Sequence, residues 1–277
     1  MTEEPSSVIA SQNASHGEGH DYVKGSPHLR HTVLRSMIDD QLRKLVRETI
    51  ERQGTCHVLE VGAGHGTFTD FLLAAGAKVT VTEASEASAT MLKERYAGHD
   101  DVAVFYDRSG EDIFADGEHF DGVVCASLLH HIPDYVTFVQ RLSGLVQPGG
   151  WFYSVQDPTY YPRRPRRVHL AGRGTFYAWR LAQGDLKRGL GAFLRRRKGA
   201  YSDTDPSDLV EYHVVRQGVD ELALEAELAQ HFDDVEVFTY WSTQSPVFQR
   251  LLAPAHLGTD FGLIARKRHE TQPGGAA

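Results

Sequence analysis

"VLEVGAGHGTF", residues 58–68, runs an apolar segment into an acid and then into three glycines at alternating positions, Gly62, Gly64 and Gly66. The segment "HVLEV" reads as a buried strand, and "TFTDFLLAAG" has helical spacing from near Thr67 to a stop at Gly76. Glycines between them permit positive φ and let the backbone approach a ligand with no Cβ in the way, while the first amides of the helix face outward. Spacing narrows the ligand. A dinucleotide fingerprint, G-x-G-x-x-G, requires a third glycine where this chain has Thr67, and no Gly-Lys-Ser or Gly-Lys-Thr follows to make a P-loop. Glu60, two residues before the first glycine, suits a cationic ligand group better than a pyrophosphate.

Outward from this turn the chain alternates strand and helix. "KVTVTEAS" is a strand ending at Glu83, "EASATMLKERYAG" a helix, "DVAVFYD" and "FDGVVCAS" two more strands, "YVTFVQRLSGLVQPGG" a helix with a Pro-Gly-Gly stop, and "WFYSVQDP" a fifth strand. Such alternation produces βαβ units and a parallel sheet covered on both faces. Upstream, Leu29, Val33, Leu34, Met37, Ile38, Leu42, Leu45, Val46 and Ile50 recur at helical intervals before Gly54, as one helix or two abutting. From Pro158 to about Gly218 the rhythm breaks, with a helix expected over Thr175–Leu194 and interrupted by Gly184, Gly189 and Gly191. "GVDELALEAELAQHF" then leads to "DVEVFTYW" and "TDFGLIARK", which pair antiparallel at the sheet edge. The expected fold is α/β: a doubly wound, mostly parallel seven-stranded sheet with N-terminal helices and a helical cap insertion. Residues 1–20 read as a disordered leader, 21–268 as one domain with the cap at about 158–218, and 269–277 as a tail.

Composition agrees with an ordinary globular protein: 277 residues, 41% hydrophobic, 24% charged, formal net charge −8. No apolar run approaches the ~20 residues a membrane span requires. The N-terminal segment lacks the apolar core of a secretory signal, so a cytoplasmic protein is expected. Cys56 and Cys125 read as buried reduced thiols rather than a disulfide or metal pair.

"VLEVGAGHGTFTDFLL" resembles motif I of the class I S-adenosylmethionine-dependent methyltransferases, and the resemblance extends through most of residues 56–155. It implies a Rossmann-like methyltransferase fold, S-adenosyl-L-methionine as cofactor, and a role for each segment. Glu60 helps hold the methionine ammonium, and Gly62, Ala63, Gly64 and Gly66 pass against the cofactor. Glu83, with Ala84 beside it, accepts from the two ribose hydroxyls, a task for which a carboxylate offers two oxygens. Ser109, Gly110 and Glu111 flank adenine, although members often carry Asp where this chain has Ser109. Ala126, Ser127 and Leu128 close the far side. Tyr22 is an aromatic candidate for covering the cofactor.

Methyl transfer to a hydroxyl needs a positioned base. His130 and His131 follow the fourth strand, and Asp157 ends the fifth; the favoured assignment is His131 as base with Asp157 as its partner, His130 being the second candidate. Either histidine alone is as readily a packing residue, and an amine or carbon acceptor needs no base. His28 and His31 lack an acid or Cys to complete a ligand set; both read as helix-surface residues, and no metal site is expected.

Between Tyr160 and Ala200 lie twelve Lys or Arg and one acid, Asp185. Tyr160, Tyr161, Phe176, Tyr177 and Trp179 interleave with Arg163, Arg164, Arg166, Arg167 and Arg173, which suits a small aromatic or anionic substrate. The RRRK run at 195–198 reads as a solvated helix end. The favoured function is O-methylation of a small molecule, such as a natural product, aromatic or glycoside. The resemblance points to microbial specialised metabolism, antibiotic biosynthesis included. N- or C-methylation, a nucleotide-cofactor oxidoreductase and an RNA-associated or non-catalytic cofactor-binding protein stay as alternatives. Nucleic acid is disfavoured as a partner, and the oligomeric state, with a homodimer among the options, is open.

Overall fold

The structure, a computed structural model, describes residues 26–115, 117–182, 217–255 and 257–267. The expected leader, Tyr22, the distal half of the insertion with its RRRK run, and the tail lie outside the described residues.

Two helices come first: α1 (Pro27–Arg30) and α2 (Thr32–Gln53), the latter ended by Gly54 in the left-handed region at φ 89°. The alternating core follows as β1 (His57–Val61), α3 (Thr67–Ala75), β2 (Lys78–Glu83), α4 (Glu86–Arg95), β3 (Val102–Tyr106), β4 (Phe120–Ala126), α5 (Tyr135–Gly144) and β5 (Val146–Pro158). Beyond it come α6 (Arg166–Ala182), α7 (Glu221–Leu228), β6 (Asp234–Tyr240), α8 (Pro246–Leu252) and β7 (Asp260–Arg266). The helix expected from Thr175 thus begins nine residues earlier, because "RRVHLAGRG" places Val168 and Thr175 on a face that is buried.

The seven strands pair in the order β3-β2-β1-β4-β5-β7-β6. Strands β1 to β5 are parallel, and the last two pair antiparallel, β7 against β5 and β6 against β7. Side-chain alternation sorts the sheet into two cores. Val58, Val79, Val81 and Val124 face α2, α3 and α4, where Ile38, Leu42, Val46, Leu72 and Leu92 are buried. Leu59, Val123, Cys125, Phe152 and Leu263 face α5 and α7 with Val139, Leu142, Leu224 and Leu228. Both cysteines are buried free thiols, and burial pushes the Cys56 thiol up to about 12.

The chain leaves β1 toward β2 on one side and enters β4 on the other. That reversal opens a crevice beyond the carboxyl ends of the strands, where ligands of open α/β sheets bind.

Candidate active site

The glycine turn leaves β1 into the crevice with Gly62, Gly64 and Gly66 all left-handed, at φ 72°, 57° and 80°. A Cβ on Gly62 would lie 3.0 Å from Leu128 Cδ1, and one on Gly66 would strike the Tyr96 hydroxyl at 2.6 Å. Glycine is therefore required at both for conformation and for space. Glu83, at the end of β2, holds the loop in place: Gly64 N–H donates to its Oε2 and Ser85 N–H to its Oε1, both at 2.9 Å. From outside, Tyr96 Oη donates to Gly66 O at 2.9 Å and Arg95 to His65 O at 2.7 Å, while Asp70 receives both side chains. Glu83 thus has a structural duty in the loop.

Glu60 alternates with Val58 on the α3 side of the sheet and is buried to 1% exposure. Thr69 Oγ1 donates to its Oε2 at 2.6 Å, while Oε1 has no partner among the described residues. Burial raises its pKa to about 7, against the hydrogen bond from Thr69. A carboxylate so placed gains most from a cationic neighbour.

After β3, Asp107 organises the turn. Its carboxylate accepts from Gly110 N (2.8 Å), Ser109 Oγ (3.0 Å), Glu111 N (3.2 Å) and Ile113 N (3.3 Å). Sequence reading passed over Asp107, although an acid two to three residues before Ser-Gly is the signature of a side chain closing its own turn. Ser109 and Gly110 lie in that loop. The Glu111 side chain departs from expectation: its carboxylate is exposed and paired to Arg141 at 2.7 and 2.9 Å, with the guanidinium over Phe114.

Opposite, β4 and β5 end in two strained residues. Ser127 sits at φ 55° and Gln156 at φ 68°, conformations that cost a side-chain-bearing residue about 1–2 kcal/mol. Gln156 is the extra residue of a bulge: Val155 faces Gly262 and Asp157 faces Phe261, so one residue is unopposed. Tyr240 Oη accepts from Gln156 N at 2.8 Å and donates to Gln156 Oε1 at 3.2 Å; Gln156 Nε2 reaches Ser242 and Asp260. Burial raises the Asp260 carboxyl to about 7.

The bulge turns Asp157 inward, to zero exposure. Its Oδ1 accepts from His130 N–H at 3.0 Å and stands 2.8 Å from His130 Nδ1, while Ser154 Oγ donates to Oδ2 at 3.3 Å. The expected pairing of Asp157 with His131 is thus corrected to His130. In the short 3-10 turn Leu129–His131 the His130 amide and ring both point back to β5, and the His131 ring packs against His130 with centroids 4.0 Å apart and planes tilted by 44°. A carboxylate on Nδ1 fixes the proton there and leaves Nε2 as the basic nitrogen.

His28 and His31 also differ from expectation: neither is on the helix surface. His28 is 3% exposed and stacks on Phe68 with centroids 5.7 Å apart; His31 is 7% exposed with Nε2 2.7 Å from Thr243 O. Burial, and secondarily the charge of His130, lowers the His28 pKa to about 3. Helix α1 therefore reaches over the crevice, a long-range placement that helical spacing does not reveal. In the insertion, Arg163 pairs with Asp220 and Glu221, and Arg164 binds Thr159 and Thr259 O. Both guanidiniums lie over Tyr160 and Tyr161. They fasten the insertion to the body. Among the described residues no His, Cys, Asp and Glu cluster has the composition of a metal site.

A seven-stranded sheet with an antiparallel β7 between β5 and β6, and a glycine loop at its switch point, has the architecture of the class I S-adenosylmethionine-dependent methyltransferases. Residues 59–152 match the family described as "Methyltransferase domain". The chain is similar to the ubiquinone biosynthesis O-methyltransferases of Coxiella burnetii (32% identity over 108 residues, 39% of this chain and 45% of that one) and Nitrosospira multiformis (30% over 126 residues, 45% and 51%). It spans about half the length of these relatives. Among solved structures it resembles the N-methyltransferase NodS of Bradyrhizobium japonicum, solved with S-adenosylhomocysteine (TM-score 0.50, 14% identity, 94% of this chain and 98% of that one). It also resembles the CurJ carbon methyltransferase (TM-score 0.53, 13% identity, 95% and 66%). These likenesses establish the fold.

Proposed function

We propose that the chain is an S-adenosylmethionine-dependent methyltransferase acting on a hydroxyl of a small molecule, in the setting of microbial specialised metabolism. One observation carries this reading: the crevice joins a glycine loop fastened to Glu83 with a His130–Asp157 pair, its carboxylate fully buried, at the ends of the adjoining strands. The residues present fit the cofactor. Glu60 has a buried oxygen without a partner, which a cationic amine would satisfy, and the alternating glycines leave backbone open to a flat ligand.

S-adenosylmethionine, when bound, supplies a methyl group on a sulfonium whose carbon–sulfur electron pair departs with sulfur. Glu60 and Glu83 hold and orient that ligand. His130 Nε2 would take the proton of the acceptor hydroxyl. Asp157, fully buried, fixes the tautomer and stabilises the resulting imidazolium. His131, packed on the base, is proposed to orient it, and Ser109, Gly110, Ala126, Ser127 and Leu128 to enclose the adenosine.

The test begins with calorimetric titration of S-adenosylhomocysteine into the full chain, where saturable binding at one site is expected. A panel of phenols, catechols and glycosides is then screened for acceptor-dependent release of S-adenosylhomocysteine. Absence of binding removes the proposal. Binding together with turnover only on amine or carbon acceptors retains the cofactor assignment and removes His130 as a hydroxyl base.

A further inference from the structure

The outer face of α6 carries three large apolar side chains in water: Leu170 (69% exposed), Tyr177 (44%) and Leu181 (57%). At 3.6 residues per turn they fall within an arc of about 40°, and Arg166, Arg173 and Arg167 flank that arc within about 60° on either side. Val168 and Thr175, on the opposite face, are buried, so the helix is held to the body by its inner side. No acid occurs anywhere in α6, in a chain whose formal net charge is −8. Among the described residues, the arginine ion pairs of the insertion involve Arg163, while none is formed by Arg166, Arg167 or Arg173.

We propose that this face docks onto anionic lipid bilayers, with Leu170, Tyr177 and Leu181 entering the interface and Arg166, Arg167 and Arg173 meeting lipid phosphates. An apolar centre rimmed by cations is the pattern of a helix lying in the plane of a membrane surface. A second copy of the chain fits poorly, because it would set one arginine rim against another, and three side chains provide far less than the roughly 1,200 Å² of a stable interface. Nucleic acid calls for several stacking rings and arginines at the centre of the contact, where this face has two leucines and a single ring, Tyr177. The docking is peripheral, since none of the described helices is long and apolar enough to cross a membrane.

The experiment is flotation of the full chain with vesicles of phosphatidylcholine alone or containing phosphatidylglycerol. Binding to the anionic vesicles is expected, weakened by salt. Replacing Arg166, Arg167 and Arg173 with Gln is expected to lower affinity about fivefold per arginine, on the order of a hundredfold together. The pair Leu170→Ser and Leu181→Ser is expected to lower it at least about tenfold. Unchanged S-adenosylhomocysteine binding and circular dichroism report that the exposed substitutions leave the fold intact, and keep this outcome separate from that of the cofactor assignment. The proposal is overturned if wild type fails to float with anionic vesicles, or if both variants float as it does. It is equally overturned if the leucine variant dissolves a dimer, or if the chain binds an RNA oligomer and loses that binding in the same variants.

Discussion

The two halves of the crevice are built by different means. On the side of β1 to β3, turns that directly follow their strands do the work: Glu83 receives amides from Ser85 beside it and from Gly64 in the preceding strand–helix turn, and Asp107 receives a turn within six residues of itself. On the side of β4 and β5, the parts meet across the chain: Asp157 holds His130, Gln156 meets Tyr240, and His28 arrives from the N-terminus. A local half preserves its geometry as a sequence pattern. A half assembled at long range is free to vary, and that is where acceptor specificity is expected to be set.

Breaking the long-range half gives the largest effect. His130→Ala is expected to lower acceptor turnover about a thousandfold, within the range of general base catalysis, with S-adenosylhomocysteine affinity changed by less than about threefold. Asp157→Asn should follow it in turnover, because the amide presents the wrong partner to Nδ1. A parallel loss of cofactor affinity would mean that the two halves are not separable, and the comparison would fail.

Breaking the local half should do the reverse. Glu83→Ala removes a carboxylate that accepts two backbone amides at 2.9 Å, and the loop loses its anchor along with the hydroxyl acceptor proposed for the cofactor. Calorimetry is expected to show affinity down on the order of a few hundredfold. Glu83→Gln, which keeps one acceptor oxygen, should recover part of it.

The division also explains what was legible. The alternation of apolar runs with helical spacing laid out all five parallel strands, and the glycine spacing with Glu60 and Glu83 marked the turns at the carboxyl ends of β1 and β2, because period and turn chemistry are local properties. His130 over His131 was not legible: two adjacent histidines differ only in which one a bulged strand 27 residues later turns its carboxylate toward. The bulge itself rests on Gln156 in a left-handed conformation that favours glycine, so no turn residue announced it. His28 and His31 looked exposed for a similar reason, since helical spacing identifies the main apolar face and not a second burial under the crevice. Arg163 and Arg164 read by composition as suited to an anionic substrate, and only the structure reveals their partners Asp220 and Thr259.

Glu60 lies at the seam and sharpens the comparison through pH. A carboxyl whose pKa burial raises from its ordinary 4.5 to about 7 in the folded state holds its proton more tightly there. Its contribution to stability is therefore complete below pH 4.5 and is lost as pH rises through 7, by about 3 kcal/mol. Glu60→Gln is expected to remove that loss, so that the variant is the more stable protein at pH 8 and gains nothing at pH 4, measured by denaturant unfolding. It should also bind S-adenosylhomocysteine less tightly, as the ammonium loses its counter-charge. A variant no more stable than wild type at pH 8 would show that the carboxylate is well solvated, and would place it outside the buried seam.

The smallest effect tests whether the far half stores strain. Ser127 joins β4 to the histidine turn at φ 55°, with its amide donating to Val155 O at 2.8 Å, so the backbone bond survives substitution. Glycine adopts this conformation without penalty but loses more freedom on folding, and the two terms leave a net gain of about 0.5–1 kcal/mol for Ser127→Gly. Unfolding midpoints should rise slightly. Turnover is expected to fall at the same time, because a freer residue three positions before His130 lets the base wander from Asp157. The reverse pairing, lower stability with intact turnover, would mean that the Ser127 side chain supports the turn through packing and that the conformation carries no cost of its own.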